Sequence, residues 1–457
     1  MEKANTTIIG AGISGLTTAY LLKKRGIEVR VIEKSDTYGG SIRTERINGH
    51  LVEHGPNSTL ETTPLINELL NMLGILDRKI FASKSSNKRY ILRNGRIMPL
   101  PMGPGAFLST KLFSGKAKLR LLKEPFIKSK SNPQETIAEF TRRRLGNEFL
   151  DYAINPFVAG VFAGDPENLN VKTAFPKLYD LEQNYGSLIG GMFKSRKERK
   201  KRNEESKQSA KTISFINGMQ ELTDSLYENL KDNIEFNCNV SSIANNGVSR
   251  LVTYSVNGET KSIETDNLVI SIPAYAAAPL IKGIDEDLSR TLADIYYPPV
   301  NVIITAFLKK DVNFNLDGFG FLIPGKEKRK FLGSLWSSII FEHRTDDAHH
   351  LLTNFIGGSR SPEMTKMDDA ESLNTVHGEL DSIIGLNGKD VFHRIMRWEK
   401  AIPQYGKNHS AVTDKIETFM NSNKGLFFCS NFYKGISVCD CIKNAFATSD
   451  KITEINK

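Results

Sequence analysis

Gly10, Gly12 and Gly15 stand in the run Gly10-Ala11-Gly12-Ile13-Ser14-Gly15, and Glu33 follows Gly15 by 18 residues. Glycines at that spacing suit a tight turn that lets a diphosphate come close to the backbone. An acid at that distance suits a hydrogen bond to a ribose hydroxyl. The chemistry they point to is the binding of an adenine dinucleotide. A second pair, Gly39-Gly40, lies six residues past Glu33 and is followed by Ser41 and Arg43. It suits another loop against the diphosphate, with the Arg43 guanidinium offsetting its charge.

Elements must hold these residues in place. Thr6 to Ile9 reads as a strand, Leu16 to Arg25 as a helix, and Val29 to Ile32 as a second strand that delivers Glu33. Strand, glycine turn, helix, strand and acid in that order form a βαβ unit whose helix N-terminus faces the phosphates. Leu51 to Asn57 gives a further strand that ends in the rigid Gly55-Pro56 turn. At this point flavin and nicotinamide dinucleotides are equally open.

The 457 residues predict two or three domains, and 39% apolar with 25% charged residues fits a globular protein. No apolar leader precedes the first strand, and no apolar run reaches the ~18 residues of a membrane span, so neither is expected. Four cysteines (Cys238, Cys429, Cys439, Cys441) are too few for a disulfide framework and predict a reducing compartment. Cys439-x-Cys441 has no second pair, so no metal is expected. Of the net charge of +9, six units come from Lys194 to Arg202, with seven Lys/Arg and one Glu. That run and the polar stretch after it predict a solvated, disordered basic loop over 194–211; attraction to anionic lipid is the second reading. No aromatic residue is interleaved with the charges, which argues against nucleic acid.

Further along come Lys88-Arg89-Tyr90, Asn155 to Pro166, Phe175-Pro176, Ser214 to Gln220, Gly318 to Pro324, Phe355 to Arg360, Ala401 to Tyr405 and Gly425 to Val438. With the glycine loops and Glu33, these motifs resemble the flavin monoamine oxidase superfamily. Within it they resemble the protoporphyrinogen oxidases, in order and across essentially the whole chain. Two departures stand out. The usual Gly-Gly is Asn217-Gly218, where Asn would have to tolerate a left-handed backbone, and the Val161-Phe162-Ala163-Gly164 loop is bulkier than in some relatives.

The resemblance implies an α/β fold. A Rossmann-like FAD-binding domain (1–80, 212–275 and 397–457) would carry an inserted mixed or antiparallel-sheet substrate domain (81–105 and 276–396). A helical membrane-associating domain (106–211) would complete it. It implies non-covalent FAD, held by Gly10, Gly12, Ile13, Ser14, Gly15, Glu33, Lys34, Gly39, Gly40, Ser41, Arg43, Gly55, Pro56, Asn57, Val240, Trp398, Asn431, Gly435 and Val438. It implies Arg89 as the anchor for a substrate propionate, Leu322, Leu335 and Phe355 around the macrocycle, and Gly160 at the cavity wall. No general base is assigned, because the hydride acceptor is flavin N5. A helix from about Asp440 is expected to turn its N-terminus to the flavin pyrimidine.

The activity implied is oxidation of protoporphyrinogen IX to protoporphyrin IX in haem biosynthesis, with molecular oxygen as acceptor and hydrogen peroxide released. A coproporphyrinogen III oxidase is the nearest alternative. An amine oxidase, with Cys429 as a candidate flavin attachment point, and a non-enzymatic binding protein like the chaperones of prenylated GTPases stand further off. Peripheral association with the inner face of the cytoplasmic membrane (a mitochondrial membrane in a eukaryote) and a homodimer are further expectations. Leu108, Leu112, Leu119 and Leu122 fall on one helical face beside Lys111, Lys116, Lys118, Arg120 and Lys123, a pattern that suits an interfacial contact and a core-facing helix with a solvated basic side equally; the resemblance implies the membrane contact. Ser114-Gly115 is expected to break that segment into two helices.

Overall fold

The computed structural model describes residues 2–201 and 210–457. Two seven-stranded sheets organise the chain. In the first, Glu2–Ile9 lies between Val29–Ile32 and Glu259–Ile270 and runs parallel to both. Ile234–Glu235 extends one edge, Ser249–Val256 and Cys238–Asn246 extend the other, and Leu426–Phe428 also pairs with Glu259–Ile270. This sheet therefore draws on the beginning, middle and end of the sequence.

Helices cover both of its faces. Ile13–Lys24, Gln220–Leu230 and Val438–Ile455 pack on one side through Leu16, Leu21, Leu222, Leu226, Ile442 and Ile452. Ala274–Ile281, Glu286–Ala293 and His409–Ser422 pack on the other through Ala277, Ile281, Leu288, Leu292 and Ile416. The central strand is buried on both faces, which is why Thr6 to Ile9 reads as a continuous run without alternation. Each fully buried leucine here contributes about 1.5–3 kcal/mol.

The second sheet runs in the order Phe392–Trp398, Val300–Leu308, His349–Gly357, Gly333–Leu335, Gly320–Leu322, Tyr90–Arg93, Arg96–Pro99. All its pairings are antiparallel except Gly320–Leu322 with Tyr90–Arg93. One face packs against helix Asp369–Ile384 through Phe307, Phe321, Trp336, Val376 and Leu380. The other face turns toward the first sheet, where the Thr353 hydroxyl donates to Asn57 Oδ1 at 3.3 Å.

Several boundaries differ from the sequence reading. Lys261 to Thr265 and Leu268 to Ile272 are one strand, Glu259–Ile270, and the expected strand from Glu235 to Val240 is split around Asn237, which has φ +57°. Asn217 does not carry the left-handed backbone of its turn. Gly218 does, at φ +94°, so the Asn217 departure leaves the turn unstrained. The C-terminal helix begins at Val438 rather than Asp440.

After strand Arg96–Pro99 the chain is helical as far as Lys201. Pro104–Ser109 and Gly115–Leu122 are separate helices, the second capped by the Ser114 side chain, as the Ser114-Gly115 break predicts. Leu112 departs from expectation: it is fully buried, whereas Leu108, Leu119 and Leu122 are 72%, 65% and 67% exposed. The expected disordered loop is also corrected over residues 194–201, which continue helix Leu188–Lys201; residues 202–209 lie outside the described residues. Among the described residues, no helix is long and apolar enough to cross a membrane.

Candidate functional site

The glycine turn closes tightly. Gly10 has φ +103° and donates its N–H to Ile32 O at 2.8 Å. A Cβ on Gly15 would lie 2.0 Å from Gly10 O, so only glycine lets helix Ile13–Lys24 rest on the turn. Gly12 is different: a Cβ there would meet no protein atom within 4 Å. The space beside it is open. The helix N-cap is Gly12 itself, with no side-chain cap and no acid in the first turn, so its N–H groups and positive dipole end face that space.

The second glycine loop closes on the first. Gly39 donates to Ala11 O at 2.8 Å, Gly12 and Gly39 form a parallel bridge, and a Cβ on Gly40 would stand 3.3 Å from Gly12 Cα. Arg43 Nε is buried and has no hydrogen-bond partner among the described residues. An orphaned buried cationic donor on the loop that closes on Gly12 fits an anionic ligand group. Ser41 is exposed next to it, and its carbonyl would lie 2.1 Å from a Cβ on Gly55. The Gly55-Pro56-Asn57 turn therefore sits on this loop, and Trp398 Nε1 donates to His54 O at 2.9 Å.

Glu33 accepts from Ala11 N at 2.7 Å and from Ser35 N at 2.8 Å, which holds its carboxylate at the mouth of the turn. Cys238 donates its N–H to Glu33 O at 2.8 Å, and that segment carries the half-buried Val240 beside the acid; Lys34 is exposed. At the other end, Gly435 takes φ +77°, and a Cβ on it would lie 2.4 Å from Asp440 Cβ. Ser437 and Asp440 form a capping box for helix Val438–Ile455, and Asn431 O accepts from the Tyr405 hydroxyl. Most of the residues read as cofactor-binding lie in these loops and helix ends, while Val240 lies in strand Cys238–Asn246 and Trp398 ends strand Phe392–Trp398.

Glu53 was not singled out by the sequence reading. It is buried, accepts from the Thr44 hydroxyl at 2.6 Å and from Met219 N at 2.8 Å, and burial pushes its carboxyl up to about 7. A Cβ on Gly218 would lie 2.9 Å from Glu53 Oε1 and 2.3 Å from Thr44 Cγ2. Glu53 thus ties the second glycine loop to the Asn217-Gly218 turn. The one signal for it was its place ahead of Gly55-Pro56.

Sheet register gathers the other candidates. Ile91 pairs with Leu322, Leu322 with Gly333, Gly333 with Phe355, and Leu335 with Thr353. Side chains alternate along strands, so Ile91, Leu322, Leu335, Thr353 and Phe355 share one face, the face that meets Asn57. Arg89, two residues before Ile91, falls on it as well. Helix Asn155–Phe162 lies over Leu322, and a Cβ on Gly160 would stand 2.8 Å from Leu322 Cδ2. The five residues read as substrate-binding are therefore brought to one apolar wall.

Arg89 is the one charged group among those five. Its guanidinium carbon lies 4.9 Å from the Phe319 ring centroid, and it has no carboxylate partner among the described residues. Burial lowers its pKa from the ordinary arginine value. Arg93, on the same face, is already held by Glu148 at 2.6 Å. Cys429 is fully buried, its thiol 3.7 Å from the Thr18 hydroxyl inside the helix layer, and burial raises its pKa. That is the environment of a packing residue.

The chain is similar to known proteins in sequence and in fold. The model of the flavin containing amine oxidoreductase family matches residues 13–453. Protoporphyrinogen oxidase 2, chloroplastic/mitochondrial, of Arabidopsis thaliana is 34% identical over 97% of this chain and 93% of its own length. The mitochondrial protoporphyrinogen oxidase of Nicotiana tabacum is 32% identical over 97% of this chain and 94% of its own. Coproporphyrinogen III oxidase of Bacillus subtilis (strain 168) is 26% identical over 99% and 98%. A crystal structure from Exiguobacterium sp. 255-15, provisionally described as a protoporphyrinogen oxidase, superposes with a TM-score of 0.82 at 20% identity, covering 100% of both chains.

Proposed function

The chain belongs to the flavin-containing amine oxidoreductase family, and within it we propose that it oxidises protoporphyrinogen IX to protoporphyrin IX in tetrapyrrole synthesis. Six hydrogens leave the substrate in three two-electron steps, and three molecules of oxygen become three of hydrogen peroxide. The observation that carries the reading is Arg89, an unpaired cation at the edge of an apolar wall that faces the dinucleotide loops. A flat, greasy ligand with carboxylates on one edge matches that arrangement.

The cofactor is FAD, which supplies the acceptor for a hydride from a methylene bridge of the substrate. Glu33 would hold the ribose, and Gly12, Gly40 and Arg43 the diphosphate. The N-terminus of helix Val438–Ile455 would stand near the flavin ring, where its dipole favours negative charge by about 0.3–1 kcal/mol. Arg89 would bind one propionate bidentately, and Leu322, Leu335 and Phe355 would hold the macrocycle against the flavin. This scheme needs no base from the chain, since the pyrrole protons can leave to solvent.

The division into FAD-binding (1–80, 212–275, 397–457), substrate-binding (81–105, 276–396) and membrane-associating (106–211) parts belongs to the same reading. Leu119, Leu122 and Phe126, with Leu108 nearby, are exposed beside Lys111, Lys116 and Lys123, a pattern suited to the boundary of an anionic bilayer. Relative kcat/KM for protoporphyrinogen IX and coproporphyrinogen III tests the substrate. A clear preference for the tetracarboxylate would replace the first reading by the second.

A further inference from the structure

We infer that Asp317 is a positioning residue for the substrate, acting through Arg89 by holding the residues on either side of it. This rests on the reading of Arg89 as the carboxylate anchor. Asp317 accepts from Lys88 Nζ through one carboxylate oxygen and from the Tyr90 hydroxyl through the other. Tyr90 opens strand Tyr90–Arg93 and Lys88, just before it, reaches the same carboxylate, so both point to one side and Arg89 between them to the other. On the Tyr90 side the ring packs against Trp336 and Phe314, at 5.5 and 5.9 Å between centroids. One carboxylate therefore fixes both neighbours on the helix-covered face, and Arg89 is left to the opposite face.

The same loop supports Arg89 from below. Phe319 donates its N–H to Lys88 O at 2.7 Å. A Cβ on Gly318 would lie 2.8 Å from Lys88 O and 2.7 Å from Tyr90 Cε2, so the loop lies flat along residues 88–90. Two residues past Asp317, the Phe319 ring sits 4.9 Å from the Arg89 guanidinium carbon. Asp317 thus sets the chain position of both the cation and the ring on which it rests. Asp317 touches no substrate in this scheme.

A double-mutant cycle on FAD-loaded protein tests this. Asp317→Asn is expected to raise KM for protoporphyrinogen about threefold to tenfold, with kcat within about twofold and bound FAD unchanged. Tyr90→Phe, which keeps the packed ring, should give a smaller rise in the same direction, and Asp317→Glu should restore most of the wild-type KM. In an Arg89→Ala background Asp317→Asn should add nothing, because its effect runs through the guanidinium. An equal KM increase in both backgrounds, an unchanged KM in the single variant, or a fall in kcat and FAD content instead would overturn the assignment. The affinity for mesoporphyrin, a dicarboxylate porphyrin followed by its fluorescence, reads the same cycle without turnover. If wild-type protein oxidises no porphyrinogen, the functional reading falls, and the mesoporphyrin cycle still decides whether Asp317 acts through Arg89.

Discussion

The guanidinium of Arg89 rests 4.9 Å from the ring of Phe319 and meets no carboxylate among the described residues, while Arg93, four residues further along, is held by Glu148 at 2.6 Å. A half-buried cation without an acid is costly unless a ligand supplies the charge. Arg89→Ala should therefore raise KM for a porphyrinogen carboxylate by about 10-fold to 100-fold, the worth of a charge-assisted hydrogen bond. Bound FAD should stay at wild-type stoichiometry in the same preparation, and Arg89→Lys should recover part of the loss. Steady-state kinetics beside the flavin absorbance ratio makes the check.

The two glycines of the first loop should fail in different ways. Gly12→Ala places its methyl group in open space, so the apoprotein should unfold within about a degree or two of wild type while FAD affinity drops. Gly15→Ala drives a methyl group into Gly10 O at 2.0 Å and should lower both FAD affinity and apoprotein stability. Thermal unfolding of the two apoproteins, with FAD titrations, separates the cases.

Glu53 predicts a pH dependence of stability. Burial pushes its carboxyl from 4.5 to about 7, so between those values the native state holds a proton that the unfolded state releases. Stability contributed by this group is therefore greatest below about pH 4.5 and falls as pH rises toward 7, by an amount on the order of 3 kcal/mol at most. Glu53→Gln should remove that falling slope and give a flatter Tm profile between pH 5 and 7. A variant whose profile parallels wild type would show that Glu53 is already ionised in the native protein.

Arg144 is fully buried, and it binds the buried carboxylates of Glu182 and Glu124 together with Ile127 O and Gly186 O. Glu124 in turn accepts the N–H groups of Leu188 and Ile189 and so caps the start of helix Leu188–Lys201. Arg144→Ala leaves the buried Glu124 carboxylate without its cation, while Glu182 keeps Arg143 at 2.7 Å, and should cost about 3–5 kcal/mol in denaturant unfolding. Loss under about 1 kcal/mol would mean that water reaches the cluster.

The exposed apolar patch gives a separate test. Leu122→Asp with Phe126→Asp should reduce cosedimentation with vesicles containing anionic lipid by several-fold. Activity in detergent should not change, since both side chains are largely exposed. Equal cosedimentation of variant and wild type would remove this patch from any lipid contact.

The dinucleotide cradle was legible because its constraints are local: each glycine answers to a turn, and Glu33 to a fixed distance along one βαβ unit. Arg89 and Leu322 were legible only through resemblance. Their meeting depends on strand register, with Ile91 beside Leu322 and Gly333 beside Phe355, which no single stretch encodes. Glu53 and Arg144 were missed for a related reason. Each reads as a charged residue in an ordinary strand or a basic helix turn, and its burial is created by segments more than a hundred residues or several helices away. Leu112 shows the reverse: its helical spacing matched Leu108 and Leu119, but the Ser114 break turns it inward.

The central claim is tested most directly by the initial rate of protoporphyrin IX fluorescence when FAD-loaded protein meets protoporphyrinogen IX in air, with hydrogen peroxide measured in parallel. The account predicts a rate well above autoxidation and about three peroxides per porphyrin formed. A rate equal to the enzyme-free control, from protein that carries its flavin, would contradict it.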